Sequence, residues 1–206
     1  MKYYAIRKID DKNVNLLLSD WDECKNKVEG HNCEYKSFKS KEQAIKYLDE
    51  NSEETTEEQA LNSDKIVYYV DGSYIDNKIG WSYVAVVNRE VKTHNSGNIK
   101  ETKDTSRNIS GELFATLGAV VNAIMMDKKE IYVVHDYQGI SSFVTGAWTP
   151  KTFEAKKYTE TMKGLIKEYD LNIHFVKVKG HSNSEFNDLA DKLAKEGAMK
   201  GENKLK

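Results

Sequence analysis

The stretch 65-KIVYYVDGSYIDNKIGWSYVAVVNREVKTHNSG-97 decides the fold. Ile66–Val70 is an unbroken apolar run closed by Asp71 and Gly72. A run of that length without polar alternation reads as a strand buried on both faces. Trp81–Asn88 and Val91–Asn98 follow, rich in β-branched and aromatic residues. Only Arg89 and Glu90 separate them, so they pair antiparallel.

Downstream the period changes. In Glu112–Met126, Leu113, Leu117, Val120 or Val121, and Ile124 recur at helical spacing. Ile131–His135 is another apolar strand, ending in Asp136. Tyr137–Thr145 and Thr152–Tyr169 read as helices, and Ile173–Val178 as the last strand. Phe186, Leu189, Ala190, Leu193, Ala194 and Gly197 then line one face of a final helix. The order β-β-β-α-β-α-α-β-α predicts an α/β fold: one central mixed five-stranded sheet flanked by helices.

Upstream, 51-NSEETTEEQALNSD-64 is polar and carries five acids and no base. It reads as a solvated acidic linker, dividing a small module (1–50) from a larger domain (65–206). The module is itself α/β. Tyr3–Ile6, Val14–Leu18 and Glu34–Phe38 read as strands. Trp21–Val28 reads as a helix behind Ser19 and Asp20, and Glu42–Glu50 as a second, with Ser40 and Gln43 at capping-box spacing.

Composition narrows the function classes. The 206 residues are 39% hydrophobic and 31% charged, with 12 Tyr, 6 Phe and 3 Trp, enough for a folded core. No uncharged apolar run approaches the roughly 20 residues of a membrane span. MKYYAIRKIDDK offers no apolar segment before its first charges, so no secretory signal is expected. Two cysteines make no disulfide framework, so a reducing cytoplasm is the expected compartment. The net charge of −2 predicts no strong overall attraction to nucleic acid, although phosphate affinity follows local patches rather than totals.

The informative residues are acids. Asp71 and Asp136 both follow apolar strands, where α/β sheets place ligands. One such Asp commonly does no more than cap a turn; a pair in one small sheet is less easily explained that way. Glu112 opens a helix after Ser110-Gly111, where the helix dipole alone would also favour it. Asp188 and Asp191 share a face of the last helix. Convergent carboxylates repel unless a cation neutralises them. Hard cations such as Mg²⁺ take oxygen ligands and bridge to phosphate, and two ions about 4 Å apart serve phosphodiester hydrolysis. A glycosidase would need only two acids. His181, in the loop Gly180-His181-Ser182-Asn183, is the side-chain type suited to proton shuttling, although an ordinary loop histidine reads the same. His135 and His174 lie in apolar strands and read as packing residues. Cys24, His31 and Cys33 lack the fourth ligand of a structural zinc site.

Taken together, Val70-Asp71-Gly72-Ser73, Gly111-Glu112-Leu113, Val134-His135-Asp136 and Val178-Lys179-Gly180-His181, followed by Asn187-Asp188-Leu189-Ala190-Asp191-Lys192-Leu193-Ala194, resemble type 1 ribonuclease H over nearly all of 65–200. The resemblance implies a ribonuclease H-like fold and an endonuclease that cuts the RNA strand of RNA–DNA hybrids, leaving 5′-phosphates. It implies two Mg²⁺ ions, with Mn²⁺ as a substitute, held by Asp71, Glu112, Asp136 and Asp191; the family register selects Asp191 over Asp188. His181 maps to the family's mobile histidine. Asn108 maps to an asparagine that contacts the RNA strand, and Gly72 and Ser73 to hybrid contacts.

Residues 1–50 resemble the hybrid-binding, or viroplasmin-like, domain of such enzymes, through Tyr3-Tyr4-Ala5-Ile6-Arg7-Lys8, Trp21-Asp22-Glu23-Cys24-Lys25, Val28-Glu29-Gly30 and Tyr35-Lys36-Ser37-Phe38. Tyr4, Trp21 and Lys36 correspond to residues that touch the hybrid, with duplex RNA as a further partner. Two departures stand out. Ile9-Asp10-Asp11-Lys12-Asn13 is acidic where the family loop is basic. Only Gly146-Ala147-Trp148-Thr149-Pro150 stands where some relatives insert a basic protrusion, leaving substrate capture to the N-terminal module. A monomer is expected. The competing readings are a non-catalytic binder of hybrid or duplex RNA, which the four intact acids disfavour, and a nuclease of this fold acting on DNA.

Overall fold

The computed structural model describes residues 2–10, 12–49, 55–99, 107–180 and 184–200. Two compact units emerge, Met1–Glu54 and Thr55–Lys206.

In the first unit, β1 (Tyr3–Ile9) is the middle strand of a sheet ordered β2-β1-β3, with β2 (Lys12–Leu18) and β3 (Cys33–Phe38) antiparallel to it. Helix α1 (Trp21–Val28) starts where the Asp20 carboxylate accepts the Glu23 N–H at 2.9 Å. Helix α2 (Lys41–Asp49) lays Ala44 and Leu48 on Ala5, with Tyr3, Leu17, Phe38 and Tyr47 around them.

The second unit is the expected mixed five-stranded sheet, ordered β6-β5-β4-β7-β8. Strands β4 (Ile66–Ile75), β5 (Lys78–Val87) and β6 (Glu90–Ile99) form an antiparallel meander. Strands β7 (Glu130–His135) and β8 (Asn172–Lys177) continue it parallel to β4. The side-chain period of two explains the apolar run. Ile66, Tyr68 and Val70 enter the core under helices α4 (Arg107–Met125) and α6 (Phe153–Tyr169), while Val67 and Tyr69 enter a second core with Phe186 and Ala190 of α7 (Glu185–Met199). Helix α5 (Gly139–Thr145) follows β7 directly.

Three expectations are corrected here. Strand β4 does not end at Asp71. It runs on to Ile75 because β5 pairs with it throughout, down to Ile75↔Lys78 across a tight turn in which Asp76 and Asn77 take positive φ. Helix α4 starts at Arg107, so Glu112 lies in its second turn and dipole stabilisation no longer accounts for it.

The acidic linker reading fails for 56–62. Thr56 and Gln59 form a reciprocal capping box that starts a short helix, α3 (Glu57–Leu61). Its Ala60 and Leu61 are buried in the second core. The Glu57 carboxylate accepts hydrogen bonds from Tyr69 Oη, at 2.8 Å, and from the Ser184 hydroxyl. Two apolar residues among five acids were enough to dock the segment. Leu61→Ala is therefore expected to lower stability by about 2 kcal/mol in urea unfolding of the whole chain; a solvated linker would lose nothing.

Candidate active site

The middle of the sheet carries the acids. Asp71 lies on β4, and Asp136 follows β7, the parallel neighbour of β4. Glu112 reaches them from α4 because that helix presses its backbone onto the hairpin. A Cβ on Gly111 would stand 2.5 Å from the Gly80 carbonyl and 2.8 Å from Gly72 Cα, so only glycine permits this approach. One carboxylate oxygen from each of Asp71, Glu112 and Asp136 falls within 4.8 Å of the others.

The electrostatics of this cluster are unfavourable as it stands. Burial, followed by the charges of Asp136 and Asp191, pushes the Asp71 carboxyl up to about 7, against the pull of the Gly72 N–H that Oδ1 accepts at 2.8 Å. Glu112 is only 7% exposed, and burial together with the Asp71 and Asp136 charges raises it well above the ordinary range. Its Oε2 is buried and finds no hydrogen-bond partner among the described residues. Three all-oxygen donors, crowded and unneutralised, fit a hard divalent cation; they do not fit an anion or a soft metal.

The other expected residues divide. Asp191, on α7, is close enough to raise Asp71, but it lies outside the three-acid group and its Oδ2 accepts Lys195 Nζ at 2.6 Å. The N–H of Gly72 is committed to Asp71, and Ser73 is nearly buried beside it. Asn108 sits in the first turn of α4. His181 lies outside the described residues. His135 is buried, as a packing reading expects, and burial lowers its pKa to about 4. A cavity of about 520 Å³ is walled by Tyr137, Phe143 and Trp148, with Ile109 and Lys151 at its lining. Sequence reading missed this feature, whose only signal was the aromatics on either side of α5.

In the first unit, Tyr4 and Trp21 pair with ring centroids 5.3 Å apart, and Trp21 is 43% exposed. Lys36 does not join them. It stands opposite Ala5, on the face covered by α2, with Nζ 5.8 Å from the Phe38 ring. The strand period puts Tyr35, also exposed, and Ser37 on the Tyr4 face instead. Tyr35 is thus a candidate contact residue that only the pairing register reveals. In the acidic loop, the Asp10 carboxylate accepts the Asn32 N–H at 3.0 Å and lies 2.6 Å from His31 Nδ1, contacts that hold its pKa low. Cys24 and Cys33 are free thiols, both raised by burial.

An acidic cluster of two half-buried residues beside the central strands and a buried one from the helix packed on them, in a mixed, helix-flanked sheet, belongs to an α/β protein whose donor set fits a divalent cation. The family model for RNase H matches residues 63–199, and that for the ribonuclease H1 N-terminal domain matches residues 2–48. The chain belongs to the RNase H family and is a ribonuclease H, a nuclease and hydrolase. Among curated proteins it is similar to ribonuclease H of Clostridium botulinum, 27% identical over 150 residues, covering 64% of this chain and 94% of that one. Ribonuclease H of Prosthecochloris aestuarii is 24% identical over 148 residues, with the same coverage. Two solved structures share the fold. RNase H1 from Halobacterium salinarum has a TM-score of 0.55 at 20% identity, covering 65% of this chain and 96% of that one. LC11-RNase H1 in complex with an RNA/DNA hybrid has a TM-score of 0.56 at 22% identity, covering 66% and 97%. No helix among the described residues is long and apolar enough to cross a membrane.

Proposed function

We propose that this chain hydrolyses the RNA strand of RNA–DNA hybrids with two Mg²⁺ ions, for which Mn²⁺ substitutes, and leaves 5′-phosphate ends. The observation that carries the reading is the convergence of Asp71, Glu112 and Asp136 within 4.8 Å, where burial disfavours the charges of Asp71 and Glu112. The hybrid complex of LC11-RNase H1, a protein of the same fold, supports the choice of substrate.

When bound, the ions supply charge neutralisation and Lewis acidity toward the scissile phosphate. Asp71, which feels the charges of both Asp136 and Asp191, would serve both ions, with Glu112, Asp136 and Asp191 completing the set. Glu112 also stands ready to accept a hydrogen bond from a ribose 2′-OH, the group by which a protein tells RNA from DNA. The buried frame around Asp71 and Glu112 holds the acids in place before substrate arrives, so little reorganisation remains for the reaction. His181 assists release of the cleaved strand. The cavity walled by Tyr137 and Trp148 offers aromatic faces and the Lys151 cation to the strand that is not cut.

The first unit forms the hybrid-binding module, and the second, which includes α3, the catalytic domain. The module captures hybrid, and duplex RNA as well, through Tyr4, Trp21 and Tyr35, with Lys36 on the opposite face of the sheet outside this contact, and the chain works as a monomer in the cytoplasm. Trp21→Ala is expected to weaken hybrid affinity roughly tenfold, the scale of one lost aromatic contact, with the rate at saturating substrate unchanged. Binding and turnover measured side by side check it; a fall in turnover at constant affinity contradicts the assigned role.

Incubation with a labelled hybrid and Mg²⁺, beside duplex DNA, tests the proposal. Fragments of the RNA strand alone are expected. Cleavage of duplex DNA, or tight binding with no cleavage, contradicts it.

A further inference from the structure

His135 ends β7, one residue before Asp136, and its side chain is fully buried. Strand parity directs it to the face where Ile131 and Val133 enter the core under α4, and the Phe175 ring meets it edge-on at 6.0 Å. A Val or Leu would pack there without taking two ring nitrogens out of water, so the imidazole calls for a reason.

The geometry supplies one. Nδ1 lies 2.9 Å from the carbonyl oxygen of Tyr137. A carbonyl only accepts, so Nδ1 carries the proton and donates. Nε2 is buried and has no hydrogen-bond partner among the described residues, as a bare lone pair on a neutral ring would be. The contact bridges a single residue, and that residue is Asp136. The Tyr137 carbonyl also accepts the Ile140 N–H at 3.1 Å, tying the first turn of α5 to the same oxygen. On the strand side, the His135 carbonyl accepts the Val178 N–H at 2.9 Å. The Asp136 carboxylate itself abuts Gly180, where a Cβ would stand 2.9 Å from Oδ2.

We infer that His135 is a positioning residue for the reaction: its Nδ1–H clamps the Tyr137 carbonyl and fixes the backbone turn that aims the Asp136 carboxylate at the ion-holding cluster. This rests on Asp136 belonging to that cluster, as proposed above.

His135→Asn and His135→Gln separate the clamp from packing. The Asn amide reaches the position of Nδ1–H, whereas the Gln amide reaches that of Nε2. Both variants are made in the full chain, with near-UV circular dichroism reporting the fold. Mg²⁺ affinity is measured by calorimetry without substrate, and hybrid cleavage separately. The Asn variant is expected to stay within about threefold of the unsubstituted protein in both. The Gln variant is expected to lose roughly tenfold in Mg²⁺ affinity and in kcat, the scale seen when a partner of a metal-holding side chain is removed. Its KM for hybrid stays unchanged. No loss in Gln, or equal losses in Asn and Gln, overturns the inference.

Nitrogen-15 NMR of the unsubstituted protein needs no variant. A neutral ring protonated at Nδ1 is expected, and a proton on Nε2 overturns the assignment. Asp136→Asn tests the underlying reading on its own. If that variant keeps its Mg²⁺ affinity and cleavage, the functional proposal fails, whereas a wrong tautomer removes only the role of His135.

Discussion

Asp71→Asn is expected to abolish hybrid cleavage, by at least about a thousandfold, and at the same time to make the metal-free protein more stable. The loss of activity follows from removing one acid of the cluster proposed to hold the ions, a transition-state interaction of the size that single preorganised groups supply. The gain in stability follows from the raised pKa. In the unfolded chain Asp71 ionises near 3.8, whereas in the folded chain it does so at about 7. Between those values the native state binds more protons than the unfolded state, so stability falls as pH rises. Above pH 7 the full penalty applies. A three-unit shift corresponds to about 4 kcal/mol; residual solvent access and proton sharing with Glu112 reduce the expected gain to on the order of 2 kcal/mol. Thermal or urea unfolding in EDTA should show Asp71→Asn more stable than the unsubstituted protein at pH 8 and equal to it near pH 4. Saturating Mg²⁺ should reverse the order at pH 8, because only the unsubstituted protein gains from the ion. A variant no more stable than the unsubstituted protein at pH 8 would contradict the crowding that this site is argued to hold.

Gly80→Ala is expected to be strongly damaging, with the tightest backbone approach among the described glycines. A Cβ at Gly80 would stand 2.0 Å from the Ala194 carbonyl oxygen and 2.7 Å from the Ala198 amide nitrogen. Both obstacles are backbone of α7, so no side chain can swing aside. Helix α7 must move away from β5, and Phe186 and Ala190 leave the second core with it. The cost is expected to be about 3 kcal/mol or more, at the upper end for overpacked cores. Asp191 rides on the same helix. Cleavage in the folded fraction should therefore drop as well, read as a higher Mg²⁺ concentration for half-maximal rate. Gly164, where a Cβ would meet nothing within 4 Å, is the control: Gly164→Ala, inside α6, should be tolerated.

These contrasts show what the sequence could and could not convey. The apolar runs Ile66–Val70 and Ile131–His135 announced central strands, because burial on both faces leaves no room for alternation. Asp71 and Asp136 stood out because each followed such a run, whereas Asp191 was marked only by the family resemblance. Strand β4 beyond Asp71 was illegible, since Gly72, Ser73 and Tyr74 are poor in apolar signal and are held by pairing with β5. The docking of α3 was masked by its acids; two buried residues outweigh a charged face that merely stays wet. In the first unit, the grouping of Tyr4, Trp21 and Lys36 ignored the period of two, and only the pairing Ala5↔Lys36 and Ile6↔Tyr35 shows which side chains share a face. His135 was legible as buried, but its bond to the Tyr137 carbonyl depends on a turn that no local pattern encodes.

The central claim concerns ions among acids, and anomalous diffraction from crystals grown with Mn²⁺ and a hybrid tests it most directly. The account predicts two anomalous peaks bounded by oxygens of Asp71, Glu112, Asp136 and Asp191, beside the RNA strand. Density that leaves these carboxylates without an ion, or places the ions elsewhere on the protein, would contradict it.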